Sequence, residues 1–141
     1  MPGAPGVSMS ARIEGLTCEL THGPSGTTLT TVPPLDNGGT AESFSPTDLV
    51  GAALASCALS TMALAAKDEG LSWGAARAAV EKRMTPSPRR IAELVLVVEM
   101  PREVRPGDRV RLEEVAQNCP VALSLHPDVA LPMEFRYPAP G

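Results

Sequence analysis

The chain has 141 residues, a length that suits a single domain. Its formal net charge is -4, and the basic residues around "TPSP" (Lys82, Arg83, Arg89 and Arg90) have no aromatic neighbours, so the composition predicts no nucleic-acid partner. Only 3% of the residues are aromatic, so alanine, valine and leucine must fill the core. Small side chains bury little area, and we therefore expect at least a dimer.

The first ten residues, "MPGAPGVSMS", have neither the basic start nor the apolar stretch of a signal peptide. We predict a flexible leader over residues 1–10, followed by one domain over residues 11–141. A cytoplasmic location follows as an expectation. In a reducing cytoplasm the three cysteines of the chain would serve catalysis or metal binding more readily than a structural disulfide.

Two strands are predicted near the N-terminus. Arg12 to Thr21 mixes apolar and polar positions, and Thr27 to Val32 is rich in β-branched residues. The segment Gly23 to Gly26 between them supplies turn residues.

A long helix follows, with clear signals at both ends. Ser45 is a suitable N-cap, Pro46 suits the first helical position, and Asp48 favours the positive end of the helix. The helix is expected to run to about Asp68, with Gly70 as its stop.

The middle of this helix, Leu49 to Ala66, has 18 residues without a formal charge. A membrane-spanning helix needs roughly 20 predominantly apolar residues. This stretch is diluted by Gly51 and by several hydroxyl side chains, so we predict a buried helix and no membrane partner.

The remainder of the chain predicts two strands, two helices and a last strand. Met133, Phe135 and Tyr137 are expected to share one face of the last strand. The order of elements indicates an α+β fold, because strands and helices do not alternate strictly. The predicted ranges are Leu71 to Met84, Ile91 to Met100, Asp108 to Asn118, Pro120 to Leu125 and Leu131 to Pro138.

Metal and cofactor sites have no signal in this sequence. It contains no Cys-x-x-Cys pair, and Cys18 and His22 share only a strand face, which is typical of a small apolar thiol and a turn histidine. Phosphate-binding and serine-nucleophile motifs are missing as well. We therefore predict neither a metal nor a cofactor.

Thiol chemistry at Cys57, inside the long helix, and Cys119, in "NCPV", is the remaining possibility. A two-cysteine peroxidase needs one thiolate that attacks a peroxide oxygen and a second thiol that condenses with the sulfenic acid. Spacing alone leaves a structural role for either cysteine open.

Several segments together resemble the OsmC/Ohr family of thiol-dependent hydroperoxide reductases. These are "FSPTDLVGAALASCALSTMALAA", "VEKRM", "PRRI" and "LEEVAQNCPVALSLHPDV". The resemblance covers about residues 11 to 137. It implies an OsmC-like fold in which antiparallel sheets wrap two central helices of an intertwined homodimer.

The resemblance also implies site roles. Cys57 matches the peroxide-attacking cysteine, and Cys119 matches the resolving cysteine. Organic and fatty-acid hydroperoxides are the implied substrates, and a small dithiol or a lipoyl-bearing protein is the implied reductant. The physiological process would be defence against oxidative stress.

The family pattern is not matched everywhere. Thr47 stands where characterised members carry a glutamate, and Asp48 matches the next acid. The N-terminal turn lacks the family's arginine, and only a protonated His22 would partly replace that cation. A redox sensor without turnover, or a dimer that binds a small apolar ligand, is therefore an alternative, and sulfur transfer through a Cys57 persulfide is a weaker one.

Overall fold

The computed structural model describes residues 3 and 5–139 of the chain, which group into two compact units, Met1–Leu49 and Val50–Gly141. Part of the predicted leader, residues 1, 2 and 4, lies outside the described residues. Its last two residues, Met9 and Ser10, already belong to the first strand. The single-domain assignment of residues 11–141 stays a prediction.

The N-terminal unit contains a three-stranded antiparallel sheet with the order β1-β2-β3. Its strands are β1 (Met9–Glu14), β2 (Thr17–His22) and β3 (Thr28–Thr31). The prediction of one strand from Arg12 to Thr21 was wrong, because Gly15 adopts a φ of +62° and begins a two-residue turn. This turn places Glu14 opposite Thr17. A single glycine thus divides the predicted strand in two.

The predicted turn over residues 23–26 is confirmed. The backbone N–H of Gly26 donates to the carbonyl of His22 at 2.7 Å, and the N–H of His22 donates to the carbonyl of Thr27 at 2.8 Å. A short 3-10 turn, Leu35–Asn37, follows β3.

The long helix α1 runs over Pro46–Glu69 and confirms the prediction to within one residue. At its start, Ser45 Oγ accepts from the backbone N–H of Asp48 at 3.1 Å, and Asp48 Oδ2 accepts from the backbone N–H of Ser45 at 2.8 Å. These reciprocal bonds form a capping box. At its end, Gly70 has a φ of +69°, the left-handed conformation that stops a helix.

The second sheet has the order β4-β5-β6 and lies in the C-terminal unit. Its strands are β4 (Arg77–Pro86), β5 (Arg89–Glu99) and β6 (Met133–Arg136). The predicted start of β4 at Leu71 was wrong, because the six residues after Gly70 form no strand.

The expectation of antiparallel sheets holds for β4 and β5, but β5 and β6 pair in parallel. Two helices lie between β5 and β6 in the chain: α2 (Arg109–Gln117), preceded by a 3-10 turn (Pro106–Asp108), and α3 (Pro120–Ser124). Parallel neighbours need such a crossover connection, whereas β4 and β5 are joined by a tight hairpin. Both helices were predicted.

The hydrophobic core of the C-terminal unit is built around one stripe of α1. Residues spaced four apart on α1 are fully buried, and every second residue of β5 faces them. The α+β class with two sheets and helices is confirmed. The core comprises Leu54, Ala58, Met62 and Ala66 of α1, Leu94, Leu96 and Val98 of β5, Leu112 and Ala116 of α2, together with Met100, Val104 and Cys119.

Within the described residues, α1 is also the one helix whose length and composition would allow it to cross a membrane. The core helix of a soluble protein passes the same test, and α1 does bury one stripe in the C-terminal core. Length and composition are therefore weak support for a membrane span here.

Candidate functional site

Cys57 lies in the fourth turn of α1, beside the buried stripe rather than on it. Its neighbour Ala58 is fully buried, whereas Cys57 itself is half-buried. Its sulfur can therefore contact the core on one side and solvent on the other. One turn later on the same side of the helix, Thr61 Oγ1 lies 3.7 Å from Cys57 Sγ.

Cys119 is brought into the core by the break between α2 and α3. The side-chain amide of Asn118 donates to the carbonyl of Glu114 at 2.8 Å and so helps to close α2. Cys119 then adopts an extended conformation, with φ -66° and ψ 156°, and Pro120 begins α3. The Cys119 side chain is fully buried.

The structure brings the two thiols together. Cys57 and Cys119 are both free cysteines; Cys57 packs against the core that contains Cys119, and each thiol influences the pKa of the other. Within the described residues, no group of three or more His, Cys, Asp or Glu side chains is arranged to hold a metal ion.

The two thiols are electrostatically unequal. Burial acts to raise the pKa of Cys57, but hydrogen bonds from the Val121 backbone N–H, the Thr61 hydroxyl and the Cys119 thiol outweigh it. The pKa of Cys57 consequently lies below that of an ordinary cysteine thiol. These donors act because a thiolate accepts hydrogen bonds more strongly than a thiol does.

Cys119 is shifted in the opposite direction. Its burial raises the pKa of the thiol, and the hydrogen bond and negative charge of Cys57 raise it further, against the backbone N–H groups of Ala122 and Val121. Of the two sulfurs, Cys57 is the one that ionises first, and Cys119 keeps its proton. This is the order that a nucleophilic thiolate next to a resolving thiol requires.

The other predicted site residues lie in the N-terminal unit, where each has local partners. His22 Nδ1 lies 2.6 Å from Ser25 Oγ in the exposed turn after β2. Thr47 Oγ1 lies 3.3 Å from Ser45 Oγ, and Asp48 closes the capping box. A role of His22, Thr47 or Asp48 toward Cys57 stays a prediction. Cys18 pairs with Ile13 and Thr31 in the N-terminal sheet.

Two contacts of Cys57 were not predicted from the sequence, one with the Thr61 hydroxyl and one with the Val121 backbone N–H. The contact with Thr61 could have been predicted, because residues four apart lie on one face of a helix. The contact with Val121 could not, since a backbone N–H in a distant segment is placed only by the tertiary fold.

A groove of about 530 Å³ begins at Thr61, between α1 and α2. Apolar side chains line part of it, and Arg111 binds Glu69 through two nitrogens, with Nη2–Oε2 at 2.6 Å and Nε–Oε1 at 3.0 Å. Three carboxylates against one guanidinium give the groove a negative charge. The lining residues are Thr61, Leu64, Ala65, Asp68, Glu69, Arg111, Glu114, Val115 and Asn118.

Comparison with known proteins decides the family. The sequence profile described as OsmC-like protein matches residues 39–134, which include both cysteines of the thiol pair. The chain belongs to the OsmC family. No curated protein matches the sequence at a significant level.

Solved structures of OsmC/Ohr proteins share the fold. A Psychrobacter arcticus 273-4 protein, provisionally described as an osmotic stress induced and detoxification response protein, is 31% identical, with a TM-score of 0.85 over 96% of this chain and 98% of that one. An organic hydroperoxide resistance protein OsmC of Legionella pneumophila is 17% identical, with a TM-score of 0.75 over 95% and 98%. OhrB of Bacillus subtilis, an organic hydroperoxide resistance protein, is 18% identical, with a TM-score of 0.67 over 95% and 100%.

The unequal thiols of this OsmC protein predict selective alkylation. Because the pKa of Cys57 is lowered, its thiolate fraction, and with it its rate of reaction with iodoacetamide, rises at a lower pH than that of an ordinary cysteine thiol. The raised pKa and complete burial of Cys119 delay its reaction to higher pH. Mass spectrometry of both cysteine peptides across a pH series, in a Cys18→Ser background, measures the two profiles. Coincident profiles would contradict the assignment.

Proposed function

We propose that this protein is a thiol-dependent peroxidase that reduces organic hydroperoxides through Cys57 and Cys119. The observation that carries the proposal is the packing of Cys57 against the core that contains Cys119, with the pKa values of the two thiols shifted in opposite directions. Membership in the OsmC family, which includes organic hydroperoxide resistance proteins, supports the same class of reaction.

The first half-reaction is the attack of the Cys57 thiolate on the terminal oxygen of the hydroperoxide. The S–O bond forms while the O–O bond breaks, and the departing alkoxide takes up a proton to leave as an alcohol. Cys57 is oxidised to a sulfenic acid, and the hydroperoxide is reduced by two electrons.

The second half-reaction uses Cys119 and is favoured by the first. The charge of the Cys57 thiolate helps to raise the pKa of Cys119, and that charge disappears when the neutral sulfenic acid forms. Cys119 then loses its proton more readily, attacks Cys57 Sγ and displaces the oxygen as water. A dithiol, either small or carried by a lipoyl-bearing protein, reduces the resulting disulfide and becomes a disulfide itself.

The activation of Cys57 does not require the arginine of the family pattern. The groups that lower the pKa of Cys57 are a backbone N–H, a hydroxyl and a thiol, all of them neutral donors. Neutral donors bring the sulfur a smaller stabilisation than a paired cation, but they act at contact distance. The proposed reaction fits a reducing compartment such as the cytoplasm, where dithiols are regenerated.

Cysteine variants test the reaction. With an organic hydroperoxide and a dithiol, Cys57→Ser should lose turnover entirely, because serine does not supply a thiolate. With the dithiol left out, Cys119→Ser should still consume about one peroxide per site and accumulate a Cys57 sulfenic acid that a dimedone probe labels. Cys18→Ser is the matched control and should retain turnover.

The alternative outcomes are informative. One oxidation per site without sustained turnover, with any dithiol reductant, would favour the stoichiometric redox sensor. A persulfide on Cys57 after exposure to a polysulfide, which donates zero-valent sulfur and leaves as a sulfide shortened by one sulfur, together with no peroxide consumption, would favour sulfur transfer. Unchanged turnover in Cys57→Ser would overturn the proposal.

The negative groove predicts a preference among long-chain substrates. The far end of the groove at Glu69 lies about 12 Å from Thr61 along the helix axis, which a long alkyl chain can span. A fatty-acid hydroperoxide would bring a carboxylate toward Asp68 and Glu114, whereas its methyl ester would not. At low salt the ester should show a kcat/KM about two- to fivefold higher than the free acid.

Removing the charges should remove this preference. In Asp68→Asn/Glu114→Gln the ester and the free acid should react with equal kcat/KM. tert-Butyl hydroperoxide is too short to reach these side chains, and its kcat/KM should not change in that variant. A wild-type protein that does not distinguish the ester from the free acid would contradict this use of the groove.

A homodimer is part of the proposal, supported by an uncovered apolar surface. Met9 and Ile13 on β1 lie on the same face of the N-terminal sheet as Leu20 and Leu29, and Met9, Ile13 and Leu29 are 71%, 63% and 46% exposed. A patch of this kind on a soluble protein marks an interaction surface. A second copy of the chain is the partner that the family resemblance implies.

The dimer prediction is tested by mass in solution. Light scattering should give twice the chain mass of 14.7 kDa. Ile13→Glu, which puts a charge on the apolar face, should shift the protein toward the monomer. Thr30→Glu is the matched control, because Thr30 is exposed on the opposite, polar face of the same sheet. A wild-type protein that stays monomeric would contradict the prediction.

A further inference from the structure

The side chain of Thr61 has one proton and two possible acceptors. Its hydroxyl donates to the carbonyl oxygen of Cys57 at 2.6 Å, and the same Oγ1 lies 3.7 Å from Cys57 Sγ. Threonine in a helix commonly bonds the carbonyl four residues earlier. What is particular here is that the residue four positions earlier is the candidate nucleophile.

The two protonation states of Cys57 place different demands on this hydroxyl. When Cys57 is a thiol, its S–H can donate to Thr61 Oγ1 while the hydroxyl donates to the carbonyl. When Cys57 is a thiolate, it has no proton to donate and can only accept. Ionisation therefore leaves the sulfur facing the lone pairs of Oγ1 unless the hydroxyl turns.

We propose that Thr61 is a positioning residue whose hydroxyl proton turns from the carbonyl oxygen of Cys57 to its sulfur when the thiolate forms. The move is favourable because a bond to an ionised acceptor is roughly twice as strong as a neutral one. The carbonyl loses little, since in an α-helix it also accepts the backbone N–H of Thr61.

Few groups stabilise the Cys57 thiolate, so the contact with the Thr61 hydroxyl has a large share in its stabilisation. The Thr61 hydroxyl is one of three donors that lower the pKa of Cys57, beside the Val121 backbone N–H and the Cys119 thiol. Cys119 is the titratable group that faces the sulfur among the described residues. Thr61 also lines the groove whose charged side chains are Asp68, Glu69, Arg111 and Glu114.

The hydroxyl would also orient the sulfur. A thiolate held by Thr61 on α1 and by Val121 on α3 is fixed between the two elements, next to Cys119. The consequence for turnover rests on the proposed peroxidase function, but the effect on the thiolate does not.

Substitution of Thr61 tests the proposal. Thr61→Val keeps the β-branched shape and removes the hydroxyl, whereas Thr61→Ser keeps the hydroxyl. In a Cys18→Ser/Cys119→Ala background the ultraviolet absorbance of the thiolate reports Cys57 alone. The comparison is made at a pH below the titration midpoints of Cys57 in the background protein and in its Thr61→Val variant. There, Thr61→Val should lower the thiolate fraction of Cys57 about three- to tenfold, and Thr61→Ser should restore it.

A control separates this effect from a general change in the helix. Ser60→Ala removes an exposed hydroxyl from the neighbouring position of α1 and should leave the thiolate titration unchanged. Urea unfolding confirms that each variant is folded before titration. An unchanged titration in folded Thr61→Val, or a Thr61→Ser protein that behaves like Thr61→Val, would overturn the proposal. Because no peroxide is used, these outcomes are independent of whether the protein turns over hydroperoxides.

Discussion

The pairing of Cys57 with Cys119 is the interaction on which the proposed chemistry depends. Each thiol changes the other: Cys119 donates to Cys57 and lowers its pKa, while the bond and the charge of Cys57 raise the pKa of Cys119. Two chemically identical side chains thereby differ in acidity, in the order that the proposed nucleophile and resolving thiol require. Burial reinforces the difference, because Cys119 is fully buried and Cys57 retains access to solvent.

The scaffold fixes this pair by packing around α1. The residues that flank Cys57 along the helix, Leu54, Ala58 and Met62, are fully buried in the same core that contains Cys119. Alanine at position 58 leaves room for close approach of neighbouring elements, which larger side chains would prevent. The small-residue composition of the helix, which makes a weak core by area, is thus compatible with bringing a second thiol to the helix surface.

Local sequence signals predicted the helices and most of the strands, but they did not predict which strands pair across long distances in the sequence. The capping residues Ser45 and Asp48 and the stop at Gly70 fixed α1 because each acts within one turn of the helix. The parallel pairing of β5 with β6 had no such signal, because it depends on how α2 and α3 cross the sheet. Gly15 was predicted to lie within a strand. Glycine adopts a positive φ without steric cost, and Gly15 does so here, which places it in a turn.

The candidate site also combines residues that sequence motifs indicate with contacts that only the tertiary structure places. The two cysteine motifs identified Cys57 and Cys119, but neither motif indicated what would stabilise a thiolate in a chain without the family's arginine. A cation attracts the sulfur from several ångströms away, whereas neutral donors act only at contact distance and with correct orientation. Thr61 and Val121 meet that demand because one lies a single turn along α1 and the other follows Cys119 at the start of α3. Because α1 and the start of α3 position both the sulfurs and these donors, the same backbone supports the proposed disulfide formation and the stabilisation of the thiolate.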